Sequence, residues 1–144
     1  MKKRNIIIFI ICTGLLIIVV ITTIHEKPDI ENIYLSSDKN SDFEKLKPDN
    51  DYTFSTQDPD IYLIMEVKHF GVKDEIEVEW IKIENGSYDV IQKNIINPEK
   101  KGSGKIIVSL IKHNNVYSTG SYSVDTYLNG DKKITKEFHI MNGN

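Results

Sequence analysis

The sequence predicts an all-β fold, an antiparallel β-sandwich of about seven strands, preceded by one transmembrane helix. Three observations lead to this prediction. Beyond Pro28, apolar and polar residues alternate with a period of two in several segments, which is the pattern of half-buried strands. Two Asn-Gly pairs, at residues 85–86 and 129–130, lie between such segments and favour tight hairpin turns. Before Pro28, residues 5–24 form one uncharged and mostly apolar run.

The run at residues 5–24 has the length and composition of a membrane-spanning helix. It holds 20 residues without a charge, 14 of them Ile, Leu, Val or Phe, and a helix of about 20 residues spans the roughly 30 Å hydrocarbon layer. Lys2, Lys3 and Arg4 precede the run, so the positive-inside rule places residues 1–4 in the cytoplasm and the C-terminal part outside. We therefore expect a single-pass protein of the cell membrane that contacts the lipid bilayer through residues 5–24.

Two alternatives to a retained anchor stay open. A cleaved signal peptide needs a shorter apolar stretch and a small-x-small site, whereas residues 21–24 offer only Thr as a small residue. Lipid attachment at Cys12 needs a small residue before the cysteine, and Ile11 stands there. Since Cys12 is the only cysteine, the exported domain forms no disulfide and depends on packing for its stability.

The rest of the chain is predicted to be one acidic domain. Residues 25–144 carry 15 basic and 21 acidic side chains, a balance that disfavours nucleic acid as a partner because phosphate binding needs clustered Lys and Arg. We expect a tether at residues 25–30, the sandwich at residues 31–141 and a tail at residues 142–144.

The alternation assigns the strands of the sandwich in order. A long loop at residues 37–56 follows the first strand, and residues 94–104, with Pro98, are predicted to form a second loop. Trp80 faces inward on the third strand. The predicted strands lie near residues 31–36, 61–68, 75–83, 88–92, 105–112, 121–128 and 133–140.

The order of the predicted elements resembles that of an immunoglobulin-like sandwich. The elements that carry this resemblance are a strand with an inward Trp80, several short strands, the segment 120–124 and a final Asn-Gly hairpin. The sequence is similar to the disulfide-free modules of this kind found on bacterial cell surfaces. The resemblance implies that Tyr122 hydrogen-bonds back to the chain as a tyrosine corner. Val124 stands where the family has its second cysteine, and Met65 or Leu63 where it has the first. Because this fold hosts many roles, the resemblance implies no single function.

No motif for catalysis, cofactor binding or metal binding stands out. The segment at residues 101–105 lacks the first glycine and the Ser or Thr of a phosphate loop and is predicted to be a turn. The glutamates of residues 75–79 project from one strand into water. The four histidines show no ligand spacing: His25, His69, His113 and His139. We therefore predict a protein that is not an enzyme and has no catalytic residue, cofactor or metal site.

The parity of the strands predicts one apolar outward face. If the strands at residues 61–68 and 105–112 are neighbours in one sheet, that face consists of Tyr62, Ile64, Ile107 and Ile111. The other sheet turns polar residues outward, Ser123 and Asp125 among them. A contiguous exposed apolar patch usually marks an interface, so we predict an extracytoplasmic interaction module that binds an unknown envelope protein or a second copy of itself. The alternative is that the long loop at residues 37–56 folds over this face and covers it.

Two other functions stay open at this point. The chain is a structural subunit of a membrane assembly if its transmembrane helix carries the specificity. It is a cell-wall glycan-binding module if its outward tyrosines, such as Tyr62, Tyr88 and Tyr127, form one platform.

Overall fold

The computed structural model describes residues 26–41 and 52–143. Predictions for residues 1–25, 42–51 and 144, which include the transmembrane helix at residues 5–24, lie outside the described residues. Within the described ranges, no helix is long and apolar enough to cross a bilayer. This part of the chain forms eight strands: β1 (Asp29–Ser36), β2 (Tyr52–Ser55), β3 (Ile61–Phe70), β4 (Ile76–Glu84), β5 (Ser87–Ile96), β6 (Gly102–Leu110), β7 (Gly120–Leu128) and β8 (Asp131–Met141).

The strands form two sheets that pack face to face as a sandwich. The first sheet has three antiparallel strands in the order β1-β3-β6. The second has five strands in the order β2-β8-β7-β4-β5, in which β2 runs parallel to β8. The all-β, two-sheet prediction is confirmed, and the strand order is consistent with an immunoglobulin-like sandwich. The strand count and the purely antiparallel pairing are corrected, since eight strands include one parallel pair.

The additional strand, β2, lies inside the predicted long loop. It spans only Tyr52–Ser55, which is too short for an alternation that distinguishes a strand from a loop. Phe54 is buried and meets Phe138 edge to face, with ring centroids 5.8 Å apart. Pairing with β8 and the buried side chain of Phe54 therefore hold β2 at the edge of the five-stranded sheet.

The strands around the second predicted loop are longer than expected. β5 extends to Ile96 and β6 begins at Gly102, so the loop is confined to residues 97–101. Gly104, predicted as part of a turn, pairs with Val67 of β3. Backbone pairing continues here although apolar and polar side chains no longer alternate, because the hydrogen bonds between strands need only backbone N–H and C=O groups.

The core lies between the sheets and is centred on Trp80. Trp80 is fully buried, as predicted, and meets Phe138 edge to face with ring centroids 6.0 Å apart. The inward residues of β3 pack against the same cluster and are also fully buried: Ile61, Leu63 and Met65. Val124, at the position of the family's second cysteine, is the cross-strand partner of Trp80. Apolar packing thus occupies the place of the family's disulfide.

Tyr122 makes the hydrogen bond that the resemblance implied. Its hydroxyl donates to the carbonyl oxygen of Ser118 at 2.7 Å, and the Ser118 hydroxyl lies 2.7 Å from the Tyr122 hydroxyl. The Tyr122 ring stacks on Phe138, with ring centroids 5.3 Å apart. Tyr122 therefore ties the segment before β7 to the core.

Both Asn-Gly hairpins form as predicted. The turn between β4 and β5 has φ of 51° at Asn85 and 78° at Gly86, and the turn between β7 and β8 has φ of 53° at Asn129 and 84° at Gly130. A positive φ at both central residues is typical of the type I′ turn, whose twist matches that of the flanking strands.

Candidate binding surface

The four residues of the predicted interface do not form one exposed face. β3 and β6 are neighbours in the three-stranded sheet, as predicted. Ile107 is 42% exposed and Ile111 is 72% exposed, but Ile64 is fully buried. Tyr62 is half-buried, and its hydroxyl donates to Asp60 Oδ2 at 2.9 Å. The expected exposure of Ile64 is therefore wrong.

Ile64 lies in the centre of the outer face of its sheet and is covered there. Its cross-strand neighbours are Tyr34 of β1 and Ile107 of β6. Lys105, on the same side of β6 as Ile107, reaches with its ammonium group to the carbonyl oxygen of Ser41 at 3.1 Å. The chain that follows β1 thus approaches β6 across this face, which agrees with the alternative that the long loop covers it. Residues 42–51 of that loop lie outside the described residues.

The exposed apolar residues concentrate on the last strand of each sheet. β5 ends the order of the five-stranded sheet, and β6 ends that of the three-stranded sheet. Of nine large apolar residues that are exposed in the described part, six lie on these two strands or directly after them. We call this surface the open edge: Tyr88, Val90, Ile91, Ile95, Ile107 and Ile111.

One side chain joins the two strands of the open edge. The Gln92 amide nitrogen donates to the carbonyl oxygen of Ser109 at 2.8 Å, and its amide oxygen accepts from the backbone N–H of Ile111 at 2.7 Å. The same nitrogen lies 2.8 Å from Asn94 Oδ1. A neighbouring strand would offer the same donor and acceptor, so Gln92 replaces strand pairing between the two sheets.

A β-bulge changes which side chains β5 presents. The register places Trp80 opposite Gln92 and Ile81 opposite Val90, so Ile91 is the extra residue. A bulge twists and bends its strand locally. Ile91 is 47% exposed as a result of this position, and a prediction based on strict alternation did not find it.

A cleft opens beside the Gln92 contact. Its volume is about 460 Å³, and its lining combines apolar residues with two lysines. Lys82 pairs with Glu84, and this hydrogen bond raises the pKa of Lys82. The Lys112 ammonium group lies 5.1 Å from the centre of the Tyr117 ring. Ile111 and Tyr122 also line the cleft, which connects the predicted interface to the predicted tyrosine corner.

The outer face of the five-stranded sheet has an apolar part, which belongs to the open edge, and a charged part. In the charged part, Lys93 Nζ lies 2.7 Å from Glu77 Oε1 and 3.4 Å from Glu79 Oε1. The hydrogen bond that Lys93 donates to Glu77 is the main cause of the raised pKa of Lys93. Tyr127 donates to Glu79 Oε2 at 3.2 Å, and burial of its ring raises the pKa of Tyr127.

Two polar residues of this face are buried, although the sequence predicted them to be solvated. Ser123 and Asp125 are each 5% exposed. Lys132 Nζ lies 2.7 Å from Asp125 Oδ2, and the Thr135 hydroxyl donates to Asp125 Oδ1 at 2.6 Å. Neighbouring strands therefore cover the Asp125 carboxylate and satisfy it, which alternation along a single strand does not show.

The remaining candidates from the sequence are not brought together. Tyr62 belongs to the three-stranded sheet, whereas Tyr88 and Tyr127 belong to the five-stranded sheet, so these three do not form one platform. The described residues include no group of three or more His, Cys, Asp or Glu side chains placed to hold a metal ion.

Comparisons with known proteins found similarity only to solved structures. No family model matches it, and no curated protein matches it. Among solved structures it is similar to a Niemann-Pick type C2 protein from the Japanese carpenter ant, with a TM-score of 0.46 and 11% identity over 81% of this chain and 95% of that one. It is also similar to the Pseudomonas fluorescens alkylpurine DNA glycosylase AlkC bound to DNA containing an abasic site analog, with a TM-score of 0.38 and 8% identity over 78% of this chain and 30% of that one.

Proposed function

We propose that this chain is a membrane-anchored interaction module that acts outside the cytoplasm and binds a partner protein through the open edge. The membrane part of the proposal is supported by the sequence, because residues 5–24 have the composition of a spanning helix and basic residues precede them. We assign the module a binding role because the described residues present exposed apolar contact area.

The observation that carries the proposal is the concentration of exposed apolar residues on two edge strands. On the outer face, Val90 lies opposite Ile81 and Tyr88 lies opposite Ile83. These cross-strand pairs form a patch that continues to the end of the hairpin. Long, apolar edge strands are sites where other chains associate, and exposed apolar patches mark interfaces. A partner with an apolar surface fits this edge.

The direct test places a photo-crosslinking residue at position 90 of the full-length protein in its native membrane. The matched control places the same residue at position 116, because Val90 is 54% exposed and Val116 is 56% exposed, but Val116 lies on neither strand of the open edge. We expect a crosslinked band from position 90 that is absent from position 116, and mass spectrometry of that band identifies the partner or a second copy. No band from position 90, or equal bands from both, overturns the assignment of the open edge.

A substitution pair gives an independent test. For this test the photo-crosslinking residue is moved to position 95. Val90→Asp places a charge in the patch and is expected to remove the crosslink, whereas Val116→Asp is expected to leave it intact. Trp80, the only tryptophan, is fully buried, so its emission reports whether each variant is folded. Loss of the crosslink in both variants, with both folded, contradicts the proposal.

A further inference from the structure

The first described residues lie at one end of the sandwich and are fixed there. Glu26 Oε2 lies 2.8 Å from His69 Nδ1, near the end of β3. An open cleft of about 580 Å³ is lined by Glu26 and Pro28, by residues near Gly71 and by Lys101. We call this region the anchor end and define it as residues 26–28, 69–75 and 99–103. It lies opposite the end at which β3 begins and β6 finishes, because Phe70 pairs with Gly102 and Ile61 with Leu110.

The chain length between the predicted anchor and Glu26 limits how far this end can be from a membrane. The apolar run finishes at residue 24, and two residues span at most about 7 Å. The headgroup layer of one leaflet is about 5–7 Å thick, since a bilayer measures about 40–45 Å with headgroups and about 30 Å without them. If residues 5–24 span the bilayer, Glu26 lies within or directly above the headgroups, and its contact with His69 places the rest of the anchor end beside them.

We infer that the anchor end rests in the headgroup layer of the bilayer, where Val72 and Lys101 contact anionic phospholipids. This inference rests on the proposed membrane anchor at residues 5–24. It extends that proposal, because it makes the folded domain itself a lipid-contacting surface and fixes its orientation, with the long axis of the strands pointing away from the membrane.

The side chains of the anchor end suit this environment. Val72 is 55% exposed at the turn between β3 and β4. Four exposed lysines share this end, and none forms an ion pair within the described residues: Lys27, Lys73, Lys100 and Lys101. Exposed lysines close to a bilayer are attracted to anionic headgroups.

Two of the four carboxylates at this end are held by the protein. Glu26 contacts His69, and Asp74 accepts hydrogen bonds from the backbone N–H of Gly71 at 2.6 Å and from Asn129 Nδ2 at 2.9 Å. Glu75 and Glu99 remain exposed. The four carboxylates match the four lysines in number, but Glu26 and Asp74 are directed at protein groups. The ammonium groups of the lysines are therefore the more accessible charges at this end, and they can reach anionic headgroups.

A matched pair of tryptophan variants tests the orientation. The full-length chain is reconstituted into vesicles with brominated phospholipids, which quench tryptophans that lie in the bilayer. Val72→Trp places the probe at the anchor end, and Val116→Trp places it at the far end; the two positions are 55% and 56% exposed. β3, with ten residues, connects the two ends, and ten residues in a strand extend about 33 Å. Trp80 contributes the same buried background to both variants.

We expect bromine to quench most of the added emission of Val72→Trp and none of that of Val116→Trp. Quenching of Val72→Trp is expected to increase when phosphatidylglycerol replaces phosphatidylcholine. Adding Lys101→Glu to this variant should abolish the increase, whereas Lys112→Glu, the same charge reversal at the far end, should preserve it.

Carbonate extraction of the same vesicles separates the two possible failures. If the chain stays in the membrane and Val72→Trp is not quenched, the anchor stands and the orientation inferred here is wrong. If the chain stays in the membrane, Val72→Trp is quenched and the lipid charge has no effect, contact with anionic phospholipids is wrong. If carbonate releases the chain, the membrane anchor of the proposed function is wrong, and the inference fails with it.

Discussion

The cross-strand pair of Ile64 and Ile107 offers a direct test of what covers the three-stranded sheet. The two residues lie opposite each other on its outer face, in β3 and β6. They have the same side chain and differ in exposure, since Ile64 is fully buried and Ile107 is 42% exposed. Replacing each by alanine therefore removes the same atoms from one covered and one open site.

The expected effects on the free energy of unfolding differ clearly. Ile64→Ala deletes a fully buried side chain, and such changes cost about 2–5 kcal/mol because lost burial and a residual cavity add together. Ile107→Ala removes a side chain that is already partly solvated and leaves no closed cavity, so we expect a loss of less than about 1.5 kcal/mol. The first value is a large fraction of the total stability of about 5–15 kcal/mol that is typical of a domain.

The assay is denaturant unfolding of the full-length chain, followed by Trp80 emission. Because Trp80 is the only tryptophan and is fully buried in the sandwich core, its signal reports this domain alone. Equal losses in the two variants, or a loss of less than about 1 kcal/mol for Ile64→Ala, would show that Ile64 is not covered in the folded protein. Ile64 would then belong to an open face, and the interface first predicted from the sequence would regain its support.

Two further variants test single contacts. Gln92→Leu removes the side-chain hydrogen bonds to Ser109 and Ile111 and should cost about 1–3 kcal/mol; faster hydrogen exchange at the Ile111 amide is the expected signature, and unchanged exchange contradicts the role of Gln92. The Tyr117 hydroxyl donates to the Leu110 carbonyl at 3.1 Å, and burial raises the pKa of Tyr117 above its ordinary 10.0. Since the folded state then holds this proton more tightly, its contribution is complete below pH 10 and is lost as the pH rises further. The free energy of unfolding should therefore fall less steeply above pH 10 in Tyr117→Phe than in the natural protein, and equal slopes would show that this group does not couple ionisation to folding.

Much of the fold follows from short-range patterns. The inward position of Trp80 and the outward position of its neighbours depend only on the period of two along one strand. The Asn-Gly turns depend on the ease with which Asn and Gly adopt positive φ, which is a property of those residues themselves. The hydrogen bond of Tyr122 follows from the resemblance to immunoglobulin-like sandwiches.

The errors occur where another part of the chain decides the outcome. β2 has four residues and becomes a strand because β8 accepts it and Phe54 finds a place beside Phe138. Asp125 is buried because Lys132 and Thr135 from the adjacent strand reach its carboxylate. Neither partner can be identified from the alternation of a single segment.

Local residue patterns were enough to predict the all-β class, the positions of most strands, the two hairpins and the side of each strand that faces the core. They also include the apolar run from which the membrane anchor is proposed. Which of the outward apolar residues are exposed depends on how the strands and loops pack in three dimensions. Alternation states the direction in which a side chain points, whereas exposure depends on what packs over it from distant parts of the chain. Ile64 points outward and is covered, while the bulged residue Ile91, which breaks the alternation, lies exposed at the open edge.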